Sequence, residues 1–357
     1  MTICIPIFQF GKAGGDRVLS NFANHFINYG HKVTFITFCD TIPPYFETSA
    51  NIILISFWGQ KASQYKKIIK FPLDYFIKRF VLKYAIENFA KEYDIILATQ
   101  SLTAFSVFKS RVNAKKFYYI QAYEPEMYKI KGLLFKPYEF ISRKSYSYNL
   151  IKIVNAELYL NYKEISTDKF VWPGINLDIF YPKPYRYINR DNIIVLGCVG
   201  RVEVYKGTSL VLKAFNKLVS KGYKVELHIA YGQKLNNNEK GVKIHNLNND
   251  FELSNFYRSV DIIIAPGTIQ LGGIHYPVLE SMACNTPVIT TNYSRSNDKN
   301  AFLVKINNVD SIIEAFEYII NNRNEVRNRS LNALENVKDF EWEISANKML
   351  KYFSSLN

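Results

Sequence analysis

Cysteine and histidine are scarce in this sequence: four of one and five of the other among 357 residues. The cysteines (Cys4, Cys39, Cys198 and Cys284) are scattered and form no CxxC pair. That argues against a disulfide framework or a zinc knuckle and fits a reducing compartment. The histidines form no cluster with aspartates, so no metal is expected. Long apolar runs are missing as well. No segment reaches the roughly 18–20 uninterrupted apolar residues that a membrane span needs. The opening MTICIPIF has no basic n-region and an apolar run of only strand length, so it does not read as a signal peptide. The expectation is a cytoplasmic protein.

What is present describes a globular chain of two domains, with 48% hydrophobic and 21% charged residues. The net charge of +14 is unevenly spread. Residues 1–177 hold 23 Lys and Arg against 13 Asp and Glu, and the remainder holds 22 against 18. The densest basic run is KASQYKKIIKFPLDYFIKRFVLKY (61–84), interleaved with Tyr, Phe and Ile. That mixture suits peripheral contact with an anionic membrane surface. A nucleic acid would use the same charges, but the chain has no recognisable nucleic-acid module, so none is expected as a partner. The bland alternative is a solvated, lysine-rich surface.

Hydrophobic periodicity predicts an alternation of short strands and amphipathic helices. TICIPIF reads as a strand and GKAGGD as a turn; RVLSNFANHFINYG reads as a helix stopped by Gly30, and KVTFITF as the next strand. NIILISFW, DIILATQ and KKFYYIQAY are further strands. A second such series starts near residue 193: NIIVLGCVGR, then a helix over GTSLVLKAFNKLVSKG capped by Thr208 or Ser209, then KVELHIAYG, DIIIAPG, a short helix over PVLESMAC and the strand TPVITT. VWPGINLDIFYPKPYR (171–186) reads as the linker. The expected domains are 1–175, 176–340 and a C-terminal helix over 341–357 that crosses back to the first. The expected fold class is α/β, with two Rossmann-like doubly wound domains facing a central cleft.

Three loops could carry chemistry. The strand-to-helix loop containing Gly14 and Gly15 could bring backbone N–H groups and a helix N-terminus to an anion; a left-handed turn is the plain alternative. In GRVEVYKG, Arg201 and Lys206 are two cations at the carboxyl edge of the second sheet, able to neutralise a diphosphate or simply to sit on the surface. Glu280 in PVLESMAC could accept both hydroxyls of a ribose or merely complement a helix dipole.

These motifs occur in one order across two matched halves, and in that order the chain resembles glycosyltransferase family 4, retaining enzymes of the GT-B fold. AGGDRVLSNFA is similar to the family's GG(A)ER segment, WPGINLDIFYP to its linker, GRVEVYKGTSLVLKAF to GRLxxxKG with its helix, and GGIHYPVLESMACNTPVI to EGFGLPxLEAMAxGxPVI. The resemblance implies that Gly14, Gly15, Arg201 and Lys206 bind the diphosphate of a nucleotide-sugar donor and that Glu280 holds its ribose. It further implies catalysis by positioning and charge neutralisation, with no cofactor beyond that donor substrate. Gly272, Gly273, Ile274, His275 and Tyr276 would contact the donor sugar.

Two departures stand out. Gly272 occupies the place of the first glutamate of the family's EX7E pattern, and His275 or Tyr276 could take over its hydroxyl contact. Many family members carry a histidine at the end of a strand facing the donor sugar; here FYYIQAYEPEMY offers Gln121, Tyr123 and Glu124 on the acceptor side. Glu124 is a candidate base or hydroxyl ligand, or a structural cap, and His275 is the other catalytic candidate. FYYIQAYEPEMY and HYPVLE are similar to bacterial surface-polysaccharide rhamnosyltransferases, which favours dTDP-rhamnose as donor and a growing surface glycan, lipid-linked, O-antigen or capsule, as acceptor. The alternatives are a donor-binding pseudoenzyme, supported by Gly272, and an epimerase of the UDP-N-acetylglucosamine 2-epimerase type.

Overall fold

A computed structural model describes residues 1–66, 74–185, 187–232 and 240–355. It divides into two compact units: Met1–Gly174 together with Trp342–Asn357, and Ile175–Glu341.

In the first unit the strands are β1 (Thr2–Pro6), β2 (Lys32–Phe38), β3 (Asn51–Ile55), β4 (Ile95–Ala98), β5 (Lys115–Ile120) and β6 (Ile151–Val154). The helices are α1 (Gly14–Asn28), α2 (Asp74–Phe89), α3 (Ser101–Lys109), α4 (Glu124–Ile130) and α5 (Lys136–Ser145). All six strands run parallel in the order β3-β2-β1-β4-β5-β6. Such a sheet is covered on both faces, which explains why IILA in β4 and FYYI in β5 are buried throughout. Helix α1 turns Val18, Leu19, Phe22, Ala23 and Phe26 inward at helical spacing. GKAGGD is not the left-handed turn that was its plain alternative. Gly14 and Gly15 are already the first two residues of α1, neither has a positive φ, and the Asp16 carboxylate closes the loop against the Gly11 and Ala13 amides.

The second unit repeats the plan with β7 (Ile194–Val199), β8 (Val225–Ala230), β9 (Val242–His245), β10 (Ile262–Ala265), β11 (Val288–Thr290) and β12 (Phe302–Leu303). Its helices are α6 (Thr208–Ser220), α7 (Asp250–Ser259), α8 (Tyr276–Ala283), α9 (Val309–Asn321) and α10 (Arg323–Lys338). The parallel order is β12-β11-β10-β7-β8-β9. Leu196, Phe215, Leu227, Ile262, Ile289 and Phe316 form the centre of its core. Helix α11 (Trp342–Ser354) then belongs to the first unit, where Trp342 packs edge-on against Phe22 and Phe353 against Phe26 and Phe117. Among the described residues no helix is long and apolar enough to cross a membrane.

Each sheet reverses its winding once, between β1 and β4 in the first unit and between β7 and β10 in the second. Loops leaving the carboxyl ends of strands at such a reversal diverge and leave a crevice, the usual ligand position in this architecture.

Candidate active site

In the second unit the loops after β7 and β10 are tied together beside that reversal. The Thr268 amide donates to the Tyr205 carbonyl at 3.0 Å. Gly207 has φ +78, and a Cβ there would lie 2.3 Å from the Pro266 carbonyl oxygen. Only glycine fits such a close approach in the left-handed region. Gly207 is therefore the N-cap of α6, and neither Thr208 nor Ser209 caps it as the composition suggested. The Thr208 hydroxyl instead accepts the Arg201 N–H at 3.0 Å, folding the Arg201–Gly207 loop back onto the helix start.

That loop presents two cations, with Glu203 of the same loop the acidic charge that acts on Lys206. Among the described residues no carboxylate lies within salt-bridge distance of Arg201 or Lys206. Arg201 is exposed and Lys206 partly buried. Burial, and then the Arg201 charge, lower the Lys206 pKa. Two like charges held close at a cost in solvation are set to gain from an anion.

The loop before α8 completes the arrangement. Gly272 has φ +92 and its amide donates to the Asn292 carbonyl. A glutamate could not simply be placed at this position, because an L side chain rarely adopts that backbone. Gly273 donates to the Gln270 carbonyl and accepts from the Ser294 amide, so the two glycines form a pinned turn. Ile274 is partly buried and leads into His275, the N-cap of α8, whose amide donates to the Ser294 hydroxyl at 3.0 Å. The His275 ring is buried against Tyr293, 5.0 Å between centroids, and its Nδ1 has no hydrogen-bond partner among the described residues. Burial first, then Lys206 and Arg201, push its pKa well below the ordinary imidazole range. The ring is neutral at pH 7 and can accept or donate one hydrogen bond at each nitrogen according to its tautomer. Tyr276 opens α8, and one turn on Glu280 is 2% exposed, with the Tyr257 hydroxyl donating to its Oε2 at 2.7 Å. Arg201, Lys206, His275 and Glu280 thus come from two sequence-distant motifs of one unit.

In the first unit, Gly15 meets Gln121: an atom placed at its Cβ position would lie 3.3 Å from Gln121 Oε1. The start of α1 and the end of β5 are therefore neighbours at the carboxyl edge of the sheet. Tyr123 has a separate setting. Its hydroxyl donates to Glu164 at 2.7 Å and accepts from Arg143 at 2.8 Å, and burial and Glu164 push its pKa up to about 12.

Glu124 is engaged at the start of α3. Its Oε1 accepts the Ser101 amide at 2.7 Å and its Oε2 the Ser101 hydroxyl at 2.6 Å, with Tyr118 and Tyr128 hydroxyls near the same oxygens. Burial raises its pKa against those hydrogen bonds. This is the geometry of a structural cap, and both oxygens would have to be freed for Glu124 to take a proton from an acceptor.

Ser101, Tyr257, Tyr293 and Ser294 are supporting residues that sequence reasoning missed. None sits in a motif of its own, and only the packing of α3, α7 and the 291–296 segment brings them in.

Residues 193–322 match the family model described as glycosyl transferases group 1. A curated protein of Sulfolobus islandicus rod-shaped virus 1, "Uncharacterized glycosyltransferase 335", is 29% identical over 171 residues, 39% of this chain and 50% of that protein. The capsular polysaccharide biosynthesis glycosyltransferase CapM of Staphylococcus aureus is 27% identical over 154 residues, 38% of this chain and 39% of that one. The chain thus spans half or less of the length of these curated relatives. Over the whole of both chains it superposes on Anabaena HepE, solved in complex with UDP-glucose, with a TM-score of 0.73 at 14% identity. Such a likeness carries the fold, two parallel six-stranded Rossmann-like domains of the GT-B type. Residues 193–322, which hold Arg201, Lys206, His275 and Glu280, thus match the glycosyl transferases group 1 model within a chain of the GT-B fold.

Proposed function

We propose that the chain is a retaining glycosyltransferase that moves a sugar from a nucleotide-diphosphate donor to a growing surface glycan. The observation that carries this reading is the Arg201–Lys206 couple, in no salt bridge among the described residues, at the winding reversal of the unit that matches the group 1 model. In the proposed reaction the couple neutralises the donor diphosphate and stabilises it as it leaves. Glu280, oriented by Tyr257, accepts the ribose hydroxyls. The departing phosphate helps to deprotonate the acceptor hydroxyl as that oxygen attacks the same face of the sugar, so the chain needs no nucleophile and no metal.

His275 takes the sugar contact left vacant by Gly272. Its Nδ1, without a partner among the described residues, offers one hydrogen bond where a glutamate would offer two acceptor oxygens, and that suits a 6-deoxy sugar such as rhamnose. The CapM similarity supports a polysaccharide acceptor.

The test is a donor panel read by thermal unfolding, with dTDP-rhamnose, UDP-glucose, UDP-galactose, UDP-N-acetylglucosamine and GDP-mannose. A ligand at 100 times its Kd adds about 2.7 kcal/mol of stability. One donor should stabilise the wild type and lose that effect with Arg201→Ala and with Glu280→Ala, each of which removes a contact of roughly 1.5–3 kcal/mol. No stabilisation by any donor or free nucleotide would overturn the assignment.

A further inference from the structure

The basic run 61–84 suggested where a membrane would touch: Lys61 and Lys66 are exposed, but the cations of its helix, α2, are engaged. Residues 67–73 lie outside the described residues. Lys78 is buried and held by Asp40 at 2.6 Å and Asp74 at 2.9 Å. The Arg79 guanidinium lies over the rings of Phe76, Phe80 and Phe105, and Lys83 pairs with Glu87 at 3.1 Å. The neighbouring face of α2 exposes Ile77, Phe80 and Tyr84, without a described free cation beside them.

The opposite combination occurs between α4 and α5. A 3-10 turn, Leu133–Phe135, is set off by Gly132 and lifts two leucines into solvent, Leu133 at 75% and Leu134 at 90% exposure. Ile130 and Phe140, the latter 67% exposed, flank them. Side chains of this kind are ordinarily turned inward, and four together on one short segment form an apolar knob. Around it stand the exposed ammonium groups of Lys129, Lys131, Lys136 and Lys144. Between Glu124 and Ser147 no carboxylate is exposed: Glu124 and Glu126 are partly buried, and Glu139 is paired with Arg143 at 3.2 Å. The knob also has a firm base. Phe135, Tyr128 and Tyr138 pack on one another with centroids 5.5–6.4 Å apart, and Phe76 of α2 closes on Tyr138 at 4.8 Å.

We infer that the Ile130–Phe140 elbow is the surface by which this chain docks on an anionic phospholipid bilayer. Leu133, Leu134 and Phe140 enter the boundary between headgroups and acyl chains, and the four lysines lie along the anionic headgroups with their stems over the apolar residues. Charge complementarity selects this occupant: four exposed lysines on a segment, 124–147, whose own carboxylates are not exposed would repel a second copy of the same basic surface, and the nearby exposed Glu164 is paired with Arg143. The inference stands whether or not the chain transfers a sugar.

The experiment is sedimentation of the full chain with phosphatidylcholine vesicles, with and without phosphatidylglycerol. Wild type should bind only the phosphatidylglycerol vesicles, and binding should weaken as salt is raised. The double variant Leu133→Ser/Leu134→Ser should lose about tenfold or more in partitioning, because it removes the inserted area while leaving the charge. Lys61→Glu/Lys66→Glu should keep most of the binding. As an independent reading that needs no destabilising change, Leu134→Trp should shift its emission to the blue on phosphatidylglycerol vesicles only. Three results would overturn the inference: no vesicle binding by wild type, binding indifferent to the leucine pair, or a wild-type dimer in solution that the leucine pair dissolves.

Discussion

His275 owes its character to its neighbours. It sits at the head of α8, buried beside Tyr293, in the field of Lys206 and Arg201. All three influences disfavour the imidazolium, so the folded-state pKa is depressed below the ordinary value of 6.5. The unfolded chain then binds a proton below about pH 6.5 that the folded chain refuses. Stability contributed by this group is complete above that pH and is lost as the pH falls through the window beneath it, at up to about 1.4 kcal/mol per pH unit. His275→Gln should therefore flatten the fall in unfolding free energy between pH 7.5 and 5.5. It should leave a residual slope from His25, His31 and His245, whose pKa values are lowered in the same direction. Equal slopes in variant and wild type, measured by denaturant titration, would show that the ring is not buried as described. Gly272 illustrates the same dependence on context. In the sequence it reads as a missing glutamate, but at φ +92 it is a backbone requirement of the turn that carries His275.

At the scale of elements, the site depends on how α6 begins. The helix starts without a side-chain cap, because Gly207 must bend left-handed under the Pro266 carbonyl before Thr208 can enter the helix and hold the Arg201 amide. Gly207→Ala adds a methyl group at a position already occupied by backbone, in a conformation an L residue resists. The expected loss is about 2–4 kcal/mol in global stability. Because the same junction ties the loop after β7 to the loop after β10, donor stabilisation should also fall in the surviving folded protein. Thermal unfolding with and without the best donor measures both. An unchanged melting temperature would mean that the loops after β7 and β10 part without cost.

At the scale of the whole molecule, the first unit is discontinuous: its last helix arrives after the second unit has been completed. Helix α11 buries Trp342, Met349 and Phe353, and two of these pack on Phe22, Phe26 and Phe117 of the first unit's core. Removing a buried aromatic costs about 3–5 kcal/mol, and a domain's whole stability is about 5–15 kcal/mol. Ending the chain after Glu341 should therefore unfold the first unit while Ile175–Glu341 keeps its core. Hydrogen exchange would report loss of protection in β1, β4 and β5 with protection retained in β7, β8 and β10. Persistent protection in both sheets would show that α11 is dispensable.

The alternation of apolar strands and amphipathic helices was legible from the sequence because burial on both faces of a parallel sheet leaves a local trace. TICIP, KVTFITF, IIIA and VIT each announce themselves without reference to any neighbour. The loops that carry Arg201, Lys206 and Glu280 after strands and at helix starts were legible too, since a strand end, a glycine and a helix start are encoded within a few residues. Four things were decided only by tertiary structure, because each is a relation between segments distant in the chain. Gly14 and Gly15 became helix, with Gln121 across from Gly15. Glu124 went to cap α3. The cations of α2 were consumed by Asp40, Asp74 and aromatic rings. The exposed leucines of the α4–α5 elbow look like core residues in any local window, and only the packing of everything else leaves them outside.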